Sequence, residues 1–176
     1  QTTRSGVRGK LLQALRKKVA PVVERVLKTG DLPQILAEWN VKWTNPGTPV
    51  IFQLHDLALL AALDGAGATF EAAKKVVLAL PAADRLAPRN PKAYKDFRRG
   101  FTPPLILGYD LLYNHLTEAE RKSFTDWMVS SWIDDCINNL EQHYFRSAGG
   151  NLTITLLMPS FMGLLSIEGD PGVPDL

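Results

Sequence analysis

Three histidines and one cysteine are the residues from which this sequence could most readily build a metal or nucleophile centre. His55, His115 and His143 stand far apart, and none has a second ligand at the spacing a metal site requires. Cys136 is alone, so no intrachain disulfide can form and the fold must rest on its apolar core. There is no Gly-rich phosphate loop, no His-Glu-x-x-His, no Cys-x-x-Cys and no Gly-x-Ser-x-Gly. A zinc site or a catalytic triad would have to be assembled from distant segments. The sequence therefore implies neither a metal nor a cofactor.

Such side chains need a scaffold, and the composition describes one. The chain has 176 residues, 45% hydrophobic and 22% charged, which suits one globular domain (residues 1–176) and excludes a disordered or collagenous chain. No apolar run reaches the length of a membrane span. The first residues do not read as a signal peptide, although opening on Gln1 suits a trimmed chain that has lost one. The net charge of +2 is unevenly spread. Residues 1–29 hold eight Lys/Arg against the single acid Glu24, whereas residues 101–145 hold seven acids against Arg121 and Lys122. A basic N-terminal third attracts polyanions.

The periodicity is helical throughout. Val7, Leu11, Leu15, Val19, Val22 and Val26 recur at steps of three and four, with Pro21 expected to kink the helix or start a second one. Residues 33–49 read as a connection holding Trp39 and Trp43, and residues 50–63 as a helix apolar on nearly every face. Asp64-Gly65-Ala66-Gly67 makes a turn before an amphipathic helix, and residues 81–92, with three prolines, read as loop. Pro103-Pro104 open a helix through Tyr109 and Tyr113. Thr117 and Glu120 then form a capping box for the helix that carries Val129, Trp132, Cys136 and Tyr144. Residues 152–167 form a last helix. No stretch alternates long enough for a sheet, so the fold class is all-α, about seven helices joined mostly as antiparallel hairpins.

Two phrases resemble a known family. Leu107-Gly108-Tyr109-Asp110-Leu111-Leu112-Tyr113, continuing through Leu116-Thr117-Glu118-Ala119-Glu120-Arg121, is similar to the hairpin segment of heparinase II/III-like and alginate-type polysaccharide lyases. Gly149-Gly150-Asn151-Leu152-Thr153-Ile154 is similar to their Gly-Asn segment at the start of an inner helix. The resemblance implies part of an (α/α) toroid belonging to a larger polypeptide. It also implies β-elimination on a uronic acid-containing glycan such as alginate or a glycosaminoglycan, and a secreted or periplasmic location. Asn151 is the position matching the family's carboxylate-neutralising Asn. A neutral amide donor there would stabilise the charge that builds as the proton alpha to the carboxylate leaves, and the same residue can cap its helix. Leu152 stands where relatives often carry His. The catalytic Tyr of the family comes from a later helix, and no Tyr context here matches it. Asn151-Leu152-Thr153 also fits a glycosylation sequon.

The expected substrate contacts are Trp39 and Trp43, which could stack on a sugar ring, and Gln53 and His55 at the start of the apolar helix. Arg98, Arg99 and Arg146 add guanidinium forks suited to carboxylate or sulfate. The expected partner is an anionic polysaccharide or oligosaccharide, with no membrane span and no nucleic acid. A second reading is a non-enzymatic helical domain that binds a polyanion or protein through its basic N-terminal third. A third takes Asp134-Asp135 as similar to the aspartate-rich helix of terpene synthases. That motif requires a further acid on the same helical face, and residues 138 and 139 are both Asn.

Overall fold

The computed structural model describes residues 4–39, 50–65, 67–86, 105–133, 162–170 and 173. Among these the chain is almost entirely helical, with seven α-helices and no strand, so the fold is all-α. The helices are α1 (Arg4–Lys28), α2 (Leu32–Trp39), α3 (Leu54–Asp64), α4 (Ala68–Leu86), α5 (105–112), α6 (Glu118–Trp127) and α7 (162–167). A 3₁₀ turn over Val50–Gln53 leads into α3, another over Tyr113–His115 follows α5, and a π-helical turn over Met128–Ile133 continues α6.

α4 is the central element and packs against α1, α2, α3 and α6. Its Ala72, Ala73, Val76, Val77 and Leu80 are buried, meeting Val19, Val22 and Val26 of α1, Leu32 and Leu36 of α2 and Leu54 and Leu57 of α3 in one cluster. Those positions repeat at three and four residues, which turns a continuous apolar stripe inward from each helix.

Two prolines lie in helix interiors, and at Pro21 no second helix starts. α1 runs unbroken through Pro21, which is exposed, so the Lys17 carbonyl that loses its amide donor lies on the solvent side. Residues 81–86 are helix, not loop: Pro81 lies inside α4 and is buried. Core burial of Pro81 and Ala83 holds that last turn, and Trp127 donates its indole N–H to Asp84 at 3.1 Å from α6. Residues 32–39 are likewise helix where a connection was expected. Asp31 caps α2 by accepting the Gln34 amide at 3.1 Å, and Leu32 and Leu36 supply the buried stripe. Trp39 is the last residue of α2 rather than a loop residue. The apolar α3 is buried on one side only, since Leu59 and Leu63 are exposed.

Other junctions follow the local chemistry closely. Thr117 accepts the Glu120 amide at 3.3 Å while Glu120 accepts the Thr117 amide at 2.8 Å, the expected capping box. That backbone bond, with Lys74 beside it, holds the Glu120 carboxyl below the usual glutamate range. Lys75 of α4 donates to the Val26 and Thr29 carbonyls at 3.1 and 2.9 Å, placing a cation at the C-terminus of α1. Gly65, at φ +77°, ends α3 by donating its amide to Ala61.

Gly108 allows α5 to approach α3. A Cβ at this position would lie 2.8 Å from Cγ of Leu54, which is itself fully buried. Gly108→Ala is therefore expected to lower stability by about 1–3 kcal/mol through overpacking. Urea unfolding measures it, and a loss below a few tenths would show that Leu54 has room to turn away.

Candidate functional site

Two of the residues expected to contact substrate lie at the start of α3. Gln53 ends the 3₁₀ turn and occupies the N-cap position of α3, but its side chain does not cap the helix. It is 7% exposed, and its Oε1 is buried without a hydrogen-bond partner. His55, one residue into α3, is half-buried, with Nδ1 likewise buried and unpartnered. Its Nε2 lies 3.1 Å from Oδ1 of Asp56. The other carboxylate oxygen of Asp56 accepts a hydrogen bond from Lys18 Nζ of α1 at 2.5 Å.

The electrostatics of this cluster follow from its placement. Asp56 is a buried acid in the first turn of α3, where the helix dipole favours a negative charge and Lys18 supplies the counter-charge. Lys18 keeps about half of its side chain in water, so the pair faces the surface. Unmet buried acceptors and donors cost about 1–3 kcal/mol each, and native chains keep them chiefly where water or a ligand completes them. Gln53 Oε1 can only accept, and so can Nδ1 of a neutral imidazole whose Nε2–H faces Asp56.

A second polar centre lies under the Leu107–Arg121 segment. Asp170, 4% exposed in the turn after α7, accepts hydrogen bonds from Tyr109 and Tyr113 at 2.6 Å each and from Thr125 at 3.1 Å. Tyr109 and Tyr113 point the same way because they are four residues apart across the end of α5. Tyr109 stacks on Phe124 with ring centroids 4.2 Å apart, and Arg121 lies over the Tyr113 ring at 4.6 Å. Burial above all, then the bond to Asp170, pushes the Tyr109 phenol up from its ordinary value. The bond to Asp170 raises Tyr113 as well. A phenol held protonated in this way is a poor general base at neutral pH. The centre therefore reads as a clamp that docks the turn after α7 onto α5 and α6.

Of the other expected site residues, Trp43, Arg98, Arg99, Arg146 and Asn151 lie outside the described residues, as do Asp134-Asp135, Cys136, His143 and Tyr144. For Trp39 the backbone alone is described. The sequence reading did not single out Lys18, Asp56 or Asp170. An acid inside the apolar run Leu54-His55-Asp56-Leu57-Ala58-Leu59 was the available signal for Asp56, because acids are seldom buried without a partner.

Among the described residues no group of three His, Cys, Asp or Glu side chains is placed to hold a metal ion, and no helix is long and apolar enough to cross a membrane. In comparisons with known proteins, no family model, no curated protein and no solved structure matches the chain.

Proposed function

We propose that this chain forms part of the (α/α) toroid of a polysaccharide lyase that cleaves uronic acid-containing glycans by β-elimination. The observation that carries the reading is the cluster at the start of α3. There Gln53 Oε1 and His55 Nδ1 are buried without partners in the same helical turn that holds the Lys18–Asp56 pair, and side chains turned outward from that turn would offer acceptors to the hydroxyls of a uronate sugar. The likeness of the Tyr109–Arg121 and Gly149–Ile154 phrases to heparinase II/III-like and alginate-type lyases supports the same reading. In it Asn151 neutralises the substrate carboxylate, and Trp39, Trp43, Arg98, Arg99 and Arg146 hold neighbouring sugars. The proton is taken by a group other than Tyr109 or Tyr113, whose hydroxyls are committed to Asp170.

The test has two parts. Incubation with alginate, heparin, hyaluronan or glucuronan is expected to raise the absorbance of unsaturated uronate, and Asn151→Ala to lower that rate about 10²–10³-fold. Calorimetry with an alginate trisaccharide is expected to show about tenfold weaker binding for Gln53→Ala and for His55→Ala, the loss of roughly one hydrogen bond each. Absence of both turnover and trisaccharide binding would overturn the reading. The strongly basic α1 favours a second reading, a non-enzymatic polyanion-binding domain, which predicts binding without unsaturated product.

A further inference from the structure

α1 carries eight Lys/Arg residues and one acid, and the structure separates the cations that are engaged from those that are not. Arg16 is locked to Asp64 of α3, Lys18 to Asp56, and Lys28 to Glu24. Arg8, Lys10, Lys17 and Arg25 are exposed, with no carboxylate partner among the described residues, and Arg8 stands on the opposite face from Lys17. Successive steps of four and three residues from Lys10 give Ala14, Lys17, Pro21 and Arg25, one solvent-facing row in which cations alternate with small uncharged residues. The cations are about 10 and 12 Å apart along the axis at the rise of an α-helix. Lys18 lies seven residues before Arg25 and borders the same row, so the row passes the Lys18–Asp56–His55 group near its middle.

We infer that this face of α1 is a rail for an extended anionic polysaccharide, one sugar of which lies beside the cluster at the start of α3. The inference rests on the lyase reading and extends it from one sugar subsite to a chain-binding surface. Three properties favour a polysaccharide over a nucleic acid. The cations are sparse, at roughly the length of a disaccharide, whereas a DNA strand presents a phosphate about every 3.4 Å. The row carries no aromatic side chain, and base stacking is a main source of single-strand affinity. Pro21 leaves the Lys17 carbonyl without its helical amide donor in the middle of the row, an acceptor that sugar hydroxyls can use and phosphodiesters cannot. The flanking Ala14 and Pro21 leave the polymer no bulky side chain to climb over.

The experiment compares the wild-type chain with the combined variant Lys10→Gln, Lys17→Gln, Arg25→Gln, using a long alginate chain, an alginate trisaccharide and an oligothymidylate matched to the long chain in charge. All three positions are exposed and outside the core, and circular dichroism checks that the helices persist. The expected result is about tenfold weaker binding of long alginate with a shallower salt dependence, trisaccharide affinity unchanged, and tighter wild-type binding of alginate than of oligothymidylate. Unchanged long-chain affinity in the variant overturns the rail, as does a wild-type preference for oligothymidylate. If the trisaccharide binds and responds to Gln53→Ala in either case, the subsite reading survives and only the rail falls. If wild-type protein binds no alginate of either length, both fall together.

Discussion

Asp170→Ala is expected to lower the stability of the chain by about 3–5 kcal/mol, the largest effect of any single substitution considered for this fold. The residue is almost fully buried, and one carboxylate satisfies three hydroxyl donors from two helical segments. Truncation removes three charge-assisted bonds and strands the hydroxyls of Tyr109 and Thr125, which are buried in their own right. For a chain of this length the loss corresponds to a fall of about 10 °C in the thermal midpoint. Asp170→Asn should fall between wild type and Ala, because one carbonyl oxygen still accepts while the amide group faces hydroxyls that must turn to receive it. A cycle pairing Asp170→Ala with Tyr113→Phe should show the two changes costing less together than the sum of each alone, by about 1–2 kcal/mol. A loss below about 1 kcal/mol in Asp170→Ala would mean that the turn after α7 is not docked in solution.

Tyr109 and Tyr113 were recognisable as a helical pair, and a buried tyrosine requires a hydroxyl partner. Nothing local identified that partner, which lies 61 residues further on in a turn closed by Gly169 at φ +83°. The capping box at Thr117 was legible because both halves of it lie within one turn of helix. By the same logic Gln53 and His55 were legible as polar residues opening an apolar helix. The Lys18–Asp56 pair beside His55 was not, because its formation depends on how α1 docks across α3. The misread segments have a common cause. Prolines at 33 and 81 signalled loop, but Pro33 falls in the first turn of α2, where its missing N–H costs nothing, and Pro81 is held by the packing of α4 against its neighbours. Composition marked both as breaks; position within the helix and core burial decided otherwise.

The tyrosine clamp should also make the fold sensitive to alkali. Burial first, and the bond to Asp170 second, raise the Tyr109 phenol above its ordinary value of 10.0, and the Asp170 bond raises Tyr113 in the same direction. Between the unfolded and folded values the native chain keeps a proton that the unfolded chain has released. Stability therefore falls as pH rises, with a slope of at most about 1.4 kcal/mol per pH unit from the buried Tyr109, while water at the partly exposed Tyr113 screens its share. The contribution is fully present below pH 10 and is lost progressively above it, while Asp170 itself opposes phenolate formation by holding a negative charge against both oxygens. Tyr109→Phe should be less stable than wild type at pH 7 by about 1–2 kcal/mol, having lost the hydroxyl that meets Asp170. The gap should narrow above pH 10 and close or invert near pH 12, because phenylalanine has no proton to lose. Comparing the two proteins cancels the lysine titrations they share, which is why the difference between their urea midpoints, not either curve alone, is the decisive measurement. Curves that stay parallel from pH 7 to pH 12 would show that the Tyr109 hydroxyl is free to ionise in the native state, and would remove the clamp from the interior of the fold.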